Sequence, residues 1–166
     1  MKYPLSLILL LFINCNINIV DYNKNGEPIL GKNMHYNFNE KPSTNDLKKI
    51  DTTAYYVQML EEGYHIDGEP VISVLQFHND GYFKASTKKY FENFPNRSKE
   101  TIWYGGKYKI SDSNIELESF YTSSGSKTKI YNRKYRKGII EGDKIILEEK
   151  NKSPLNSVYQ KKDTLK

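Results

Sequence analysis

The sequence predicts an all-β chain: one antiparallel, up-and-down meander of about eight strands that closes into a small barrel. Three observations lead to this fold class. From Thr53 onward, short apolar and aromatic runs alternate with turn clusters, as they do in consecutive hairpins. The aromatic residues are mostly Tyr (14) and Phe (7), which suit a pleated surface. Two later hairpins also have mutually consistent cross-strand pairs.

Eight runs carry the pattern expected of strands. The predicted strands are Ala54–Leu60, Val71–His78, Tyr82–Ser86, Trp103–Ile110, Ile115–Ser123, Lys127–Ile140, Ile145–Lys150 and Val158–Lys162. Asn79-Asp80-Gly81 predicts a tight turn between the second and third strands, because glycine readily adopts the positive φ that such turns need. Short turns favour up-and-down connectivity, and closure into a barrel removes exposed sheet edges.

Two segments with similar patterns, Ile110–Glu118 and Ile140–Glu148, test the strand assignment. Two-residue turns at Asp112-Ser113 and Gly142-Asp143 place apolar residues opposite apolar ones and charges opposite counterions. The predicted pairs are Ile110–Ile115, Tyr108–Leu117, Lys109–Glu116, Lys107–Glu118, Ile140–Ile145, Lys137–Glu148, Arg136–Glu149 and Glu141–Lys144. Because both segments give complementary pairs along their whole length, we assign both as hairpins.

Alternation within these strands predicts one buried and one solvated face of the sheet. We expect the buried face to carry Tyr104, Tyr108, Ile110, Ile115, Leu117 and Tyr121. The solvated face is expected to carry Lys107, Lys109, Glu116 and Glu118. We also expect Glu116 to meet Arg133 across a hairpin closed by Ser124-Gly125.

The succession FHNDGYF, GKYKISDSNIELE, GIIEGDKIILEE and a final VYQKK strand resembles the lipocalin-like domains of bacterial lipoproteins. The resemblance covers roughly residues 53–162 and depends mostly on repeated hairpins. It implies a small barrel that binds a small ligand, and it brings no catalytic residues with it. The Gly-x-Trp signature of true lipocalins is absent from the first strand, and the one tryptophan of the chain is Trp103.

The N-terminus has the pattern of an export signal. Lys2 is followed by an apolar run from Leu5 to Ile13, which is too short for the roughly 20 residues of a membrane-spanning helix and fits a signal peptide. The segment Phe12-Ile13-Asn14-Cys15 resembles a bacterial lipobox, in which the cysteine is acylated and becomes the mature N-terminus. Phe12 and Asn14 depart from the common form of that box. We therefore predict a signal peptide over residues 1–14 and lipid attachment at Cys15.

Residues 15–51 are predicted to be the lipidated N-terminus and a flexible polar tether. The stretch is rich in Asn, Lys, Asp, Gly and Pro, which bury too little surface to offset ordering. A flexible chain of this length reaches roughly 30–35 Å. One short helix is possible within it, capped by Ser43 and Thr44 and running through Leu47 and Ile50. The predicted β domain then spans residues 52–166.

Composition argues against several classes of function. The net charge of +5 comes from 25 basic and 20 acidic residues, so it does not predict nucleic-acid binding. The basic run from Lys127 to Lys137 is expected to be a solvated, ion-paired strand face. The polar residues Glu61, Glu62, His65, Asp67, Glu69, His78 and Asp80 have no recognised metal spacing. We predict no enzyme, no metal site and no cofactor.

The candidate ligand-binding residues are aromatic. Tyr90, Phe91 and Phe94 lie in the longest connection, KKYFENFPNRSKE, where a loop near a barrel mouth can cover a ligand or stack a sugar. We add Trp103, Tyr104 and Tyr108 to this candidate set, while packing in the core is the alternative for each ring.

The sequence is consistent with two functions. The first is a membrane-anchored, exported lipoprotein, on the outer membrane or cell surface, whose barrel interior or mouth binds a small, partly apolar ligand. The alternative is a cell-envelope or surface interaction domain with a filled barrel, which contacts an envelope or host protein and holds no ligand. A cavity lined by Tyr and Phe favours the first function, and a filled interior favours the second.

Overall fold

The computed structural model describes residues 21–32, 34–59, 65–66, 69–122, 131–148 and 156–165. The predicted signal peptide and Cys15 lie outside these residues. The elements in chain order are β1 (Asp21–Tyr22), β2 (Pro28–Ile29), α1 (Thr44–Leu47), β3 (Tyr55–Met59), β4 (His65–Ile66), β5 (Glu69–Pro70), β6 (Ser73–Phe77), β7 (Tyr82–Thr87), α2 (Lys88–Asn93), β8 (Gly105–Ser111), β9 (Asn114–Thr122), β10 (Tyr131–Glu141), β11 (Lys144–Leu147) and β12 (Ser157–Lys162).

Eight of the strands form a closed antiparallel barrel. The barrel strands are β3, β6, β7, β8, β9, β10, β11 and β12, and each pairs with the next one along the chain. β12 then pairs with β3, with Tyr159 opposite Gln58, which closes the sheet. The predicted up-and-down barrel is confirmed. The remaining strands form two small hairpins, β1–β2 and β4–β5.

The predicted registers of both hairpins are confirmed. Lys107, Tyr108, Lys109 and Ile110 lie opposite Glu118, Leu117, Glu116 and Ile115, and Ile140 and Glu141 lie opposite Ile145 and Lys144. Asp112 and Gly142 take positive φ angles of 54° and 58°, as the first residues of the two turns. The Glu148 N–H donates to the Lys137 carbonyl at 2.8 Å, as the predicted pair requires. Glu149 lies outside the described residues.

The predicted contact between Glu116 and Arg133 is wrong. β9 and β10 pair in a register that places Glu116 opposite Lys137, four residues beyond Arg133. The residues predicted to turn, Ser124-Gly125, lie outside the described part of the chain. Glu116 instead forms an ion pair with Lys109, with 3.1 Å between Oε1 and Nζ.

Buried side chains fill the middle of the barrel. Tyr108 and Tyr56 each meet Phe77 edge to face, with ring centroids 5.0 and 5.5 Å apart. The core cluster is Ile50, Tyr56, Leu75, Phe77, Phe83, Tyr108, Ile110, Ile115, Leu117, Ile140, Ile145, Leu147 and Tyr159. Tyr121, predicted to be buried, is 50% exposed, because β8 pairs with β9 only as far as Ser119 and Tyr121 lies beyond that contact.

The described residues between Asp21 and Asp51 pack on the barrel and do not form a free tether, which corrects that prediction. Leu30, Met34 and Tyr36 cover an outer patch formed by Ile102, Phe120 and Tyr131. We call residues 28–32 and 34–39 the N-terminal strap. α1 follows it and is capped by Ser43 as predicted, but it ends at Leu47, and Ile50 is buried in the core. Residues that precede position 52 therefore take part in the packing of the barrel.

Candidate functional site

The structure divides the six predicted ligand-binding residues into two groups. Tyr90, Phe94 and Trp103 keep 51%, 42% and 51% of their surface exposed. Phe91, Tyr104 and Tyr108 are buried, with exposures of 4%, 5% and 0%. The three exposed rings lie together at one cavity. Of the three buried rings, Phe91 packs against Tyr55, Tyr104 packs against His78, and Tyr108 belongs to the barrel core.

The exposed rings line a cleft of about 720 Å³ on the outside of the barrel, which we call the aromatic cleft. This volume falls within the roughly 300–1,000 Å³ of small-molecule sites. The cleft is formed by α2, the connection that follows it, and the β1–β2 hairpin. Its lining residues are Asn25, Glu27, Ser86, Tyr90, Phe94, Arg97 and Trp103.

Local helix geometry brings two of the rings together. Residues KKYFEN form α2, and the Phe94 N–H donates to the Tyr90 carbonyl at 3.0 Å where the helix ends. Side chains four residues apart share one helix face, so the Tyr90 and Phe94 rings stack, with centroids 5.7 Å apart and planes 16° from parallel. Phe91 points to the other side, where its ring meets Tyr55 edge to face at 6.0 Å.

Arg97 connects the two sides of the aromatic cleft. Its guanidinium carbon lies 4.7 Å from the Phe94 ring centroid and 5.5 Å from that of Trp103, which are cation–π distances. Its Nε donates to the Glu27 carboxylate at 3.1 Å, and both side chains of this ion pair are largely buried. The pair fixes both residues and leaves the cleft lining with no net charge.

The β1–β2 hairpin holds Glu27 in place. The Asn23 side-chain oxygen accepts the N–H groups of Asn25 and Glu27, each at 2.9 Å, and the Asn23 amide nitrogen donates to Glu27 Oε2 at 3.2 Å. The Ile102 N–H donates to the Pro28 carbonyl at 2.9 Å, which joins the hairpin to the connection that carries Trp103. The Asn23 side chain and the backbone hydrogen bond to Pro28 therefore hold this side of the cleft in place.

Lys84 supports the other side of the aromatic cleft from below. It is buried, and its Nζ donates to the Phe94 carbonyl at 2.8 Å and lies 4.6 Å from the centre of the Phe91 ring. Burial, followed by the positive charge of Arg97, lowers the pKa of Lys84. The ammonium group thus stabilises the carbonyl end of α2 and fixes the position of Phe94.

Two of the predicted ligand-binding rings are structural. The Tyr108 hydroxyl donates to the His78 carbonyl at 2.8 Å, and the Tyr104 hydroxyl lies 2.5 Å from His78 Nε2. Burial and the nearby Asp80 carboxylate raise the pKa of Tyr104 to about 12. Burial, and then the charge of Lys99, lowers the pKa of His78, which favours the neutral imidazole. These hydroxyls are used within the fold and do not line the aromatic cleft.

Sequence reasoning missed the role of Glu118, which was expected to be solvated. Its carboxylate is fully buried and accepts the Asn37 N–H at 2.7 and 2.9 Å and the Phe38 N–H at 2.9 Å. The guanidinium of Arg133, from the basic run, pairs with it at 3.0 Å, and the Tyr135 hydroxyl lies at 3.4 Å. Glu118 therefore anchors the N-terminal strap to the outside of the barrel.

A second, smaller cavity lies at the end of the barrel where β7 leads into α2. It has a volume of about 430 Å³, and Tyr90 and Ser86 line both this cavity and the aromatic cleft. Arg136 also lines it, above the core residues Leu75 and Tyr159. A cavity of about 440 Å³ lies at the opposite end of the barrel, where Ile50, Tyr56 and Gly142 are among its lining residues.

No protein-family model matches the chain, and neither the curated proteins nor the solved structures give a significant match. Within the described ranges no helix is long and apolar enough to cross a membrane. The same ranges contain no group of three His, Cys, Asp or Glu residues placed to hold a metal ion.

Proposed function

We propose that the chain is an exported, lipid-anchored binding module that takes a small, partly apolar ligand in the aromatic cleft. The observation that carries this proposal is the grouping of Tyr90, Phe94 and Trp103 around one cavity, each with about half of its surface exposed. Exposed aromatic rings that share a concave surface are typical of ligand and partner sites.

The ordering of the cleft favours binding over a loose surface patch. Arg97 is held between two rings and by Glu27, and Lys84 holds the carbonyl of Phe94. Side chains that are fixed before the ligand arrives lose less conformational entropy on binding. Apolar contact comes from the rings, and the rim offers polar groups on Asn25, Ser86 and Arg97.

The aromatic cleft is a better candidate than the barrel interior. The core cluster occupies the middle of the barrel, and the cavity at its end, about 430 Å³, is smaller than the cleft. The filled interior also favours the rival function, an interaction domain for an envelope or host protein with no small ligand. The two functions differ in whether an isolated small molecule binds.

A neutral fluorescent probe, N-phenylnaphthylamine, tests the cleft. We expect the wild-type chain to bind it, and we expect Tyr90→Ser with Phe94→Ser to weaken binding about tenfold, equal to roughly 1.4 kcal/mol. Tyr121→Ser is the matched control, because Tyr121 is as exposed as Tyr90 but lies outside the cleft. A wild-type chain that binds no probe would favour the interaction domain, and an equal loss in the control would place the site elsewhere.

Lipid attachment at Cys15 is tested by metabolic labelling with a radioactive fatty acid. We expect label in the wild-type chain and none in Cys15→Ala, which is expected as a soluble or unprocessed form. Cys15 is the one cysteine of the chain, so acylation at another thiol cannot replace it. Equal labelling of the two chains would rule out the lipid anchor at this position.

A further inference from the structure

We propose that the end of the barrel next to the aromatic cleft contacts the lipid bilayer in which the chain is anchored. This inference rests on the proposed lipid anchor at Cys15. It adds an orientation to the binding module: the cleft lies at the bilayer surface, and the opposite end of the barrel faces away.

The first supporting observation is the distribution of exposed apolar side chains. Strand direction defines two ends of the barrel, and one of them is formed by the end of β3, the junction of β7 with α2, the start of β8 and the end of β9. We call this the cleft end. Six of the seven large hydrophobic side chains that are exposed in the described residues lie there: Tyr22, Met59, Tyr90, Phe94, Trp103 and Tyr121. Ile139, near the end of β10, is at the opposite end.

Tyr22 belongs to this group through its surroundings. It lies in β1, whose partner β2 bridges Thr101 through Ile29, next to Trp103. The strap, which begins with β2, packs on Ile102, Phe120 and Tyr131, and Tyr131 lies opposite Thr122, the residue after Tyr121. The exposed rings therefore extend from the aromatic cleft around the end of the barrel to Tyr121.

The second observation is the point at which the chain joins the barrel. The strap packs on the barrel from residue 28, and β1 begins at Asp21, so five residues, 16–20, separate Cys15 from β1. At roughly 3.3–3.6 Å per residue, even a fully extended chain from Cys15 to Asp21 spans only about 20 Å. An acylated Cys15 thus keeps the cleft end, where β1 lies, close to the lipid headgroups.

The side chains at this end suit a membrane interface. Tyr and Trp concentrate at the boundary between headgroups and acyl chains, because their rings are apolar and their hydroxyl or N–H groups are polar. Among the residues described at this end, exposed basic side chains such as Lys24, Lys89 and Lys134 are interspersed with the exposed acids Asp21, Glu92 and Glu148. We therefore expect the contact to depend on the aromatic rings and to form on zwitterionic lipid without requiring anionic headgroups.

This orientation also bears on the ligand. A partly apolar molecule is concentrated at the surface of a bilayer, so a cleft held there meets it at a higher local concentration than in bulk water. The arrangement favours a ligand that reaches the cleft from the lipid surface.

The single tryptophan reports on the contact. We expect Trp103 of the acylated protein, reconstituted in phosphatidylcholine vesicles with brominated acyl chains, to be quenched relative to vesicles without bromine. Met59→Ser with Tyr121→Ser removes two apolar contacts outside the aromatic cleft and should reduce the quenching. Ile139→Ser, at the opposite end, is the matched control and should leave it unchanged.

The outcomes separate this inference from the binding function. Quenching that falls in the Met59/Tyr121 variant but not in Ile139→Ser supports the orientation. Trp103 that is unquenched by brominated lipid and remains fully accessible to acrylamide overturns it, as does a chain that carries no acyl group. Binding of N-phenylnaphthylamine is measured on the soluble Cys15→Ala chain, so a failure of the cleft itself appears there and not in the vesicle experiment.

Discussion

Replacing Glu118 by alanine is expected to lower the free energy of unfolding by about 1.5–3 kcal/mol, because it removes a fully buried carboxylate that accepts charge-assisted hydrogen bonds. The change also removes the acceptor of the Asn37 and Phe38 N–H groups, which hold the N-terminal strap to β9. Urea unfolding measures the loss of stability. Hydrogen exchange at the amides of Asn37 and Phe38 measures the release of the strap, and both amides are expected to lose protection.

Glu116→Ala is the matched control for this change. Glu116 lies two residues earlier on β9 and forms an ion pair with Lys109. In contrast to Glu118, the side chains of both residues in this pair are partly exposed. Such surface pairs contribute about 0–1 kcal/mol. A similar small loss in both variants, with the strap amides still protected, would show that Glu118 does not anchor the strap.

Replacing Phe91 by alanine is expected to cost about 3–5 kcal/mol, the usual cost of removing a buried phenylalanine ring. The ring lies beneath α2, where it contacts Tyr55 and the ammonium group of Lys84. Its loss leaves a cavity and removes the apolar surface on which α2 packs. Urea unfolding of the single variant measures the effect.

Tyr90→Ala and Phe94→Ala provide the comparison within the same segment. Both rings are about half exposed, so each change is expected to cost less than about 1 kcal/mol while it weakens probe binding. Equal destabilisation by all three changes would mean that Tyr90 and Phe94 are core residues. That result would remove the aromatic cleft as a binding site.

The barrel and its hairpin registers are predictable from the sequence because they depend on residues close together in the chain. Ile110, Ile115, Lys109 and Glu116 meet across a two-residue turn, so sequence spacing determines their pairing. The pairing of β9 with β10 depends on a longer connection, and the predicted contact of Glu116 with Arg133 was wrong by four residues.

The N-terminal strap was not predicted, because the polar composition of the stretch was given more weight than the spacing of its apolar residues. The stretch is polar overall, but Leu30, Met34, Tyr36 and Phe38 occur at alternating positions, as expected of an extended segment with one buried side. Leu30, Met34 and Tyr36 pack against the outer patch of Ile102, Phe120 and Tyr131. Because their partners on β9 and β10 are more than 80 residues away, local sequence gives no sign of the contact, nor of the burial of Glu118.

The candidate site was predicted in part, since the aromatic connection does line a cleft through Tyr90 and Phe94. The assignment of Phe91 to the same surface neglected helix geometry: residues 90 and 94 share a face, and residue 91 is rotated about 100° away. Glu27, Asn25 and Arg97 could not be placed from the sequence, because the β1–β2 hairpin reaches the cleft only through tertiary contacts.

Acrylamide quenching of Trp103 tests the central claim, that the aromatic cleft holds the ligand, most directly. The chain has one tryptophan, and about half of its surface is exposed in the cleft. With saturating N-phenylnaphthylamine bound to the soluble Cys15→Ala chain, we expect acrylamide to quench Trp103 several-fold less than in the free chain. Unchanged quenching of Trp103 at saturation would show that the probe binds elsewhere, and it would contradict the cleft as the binding site.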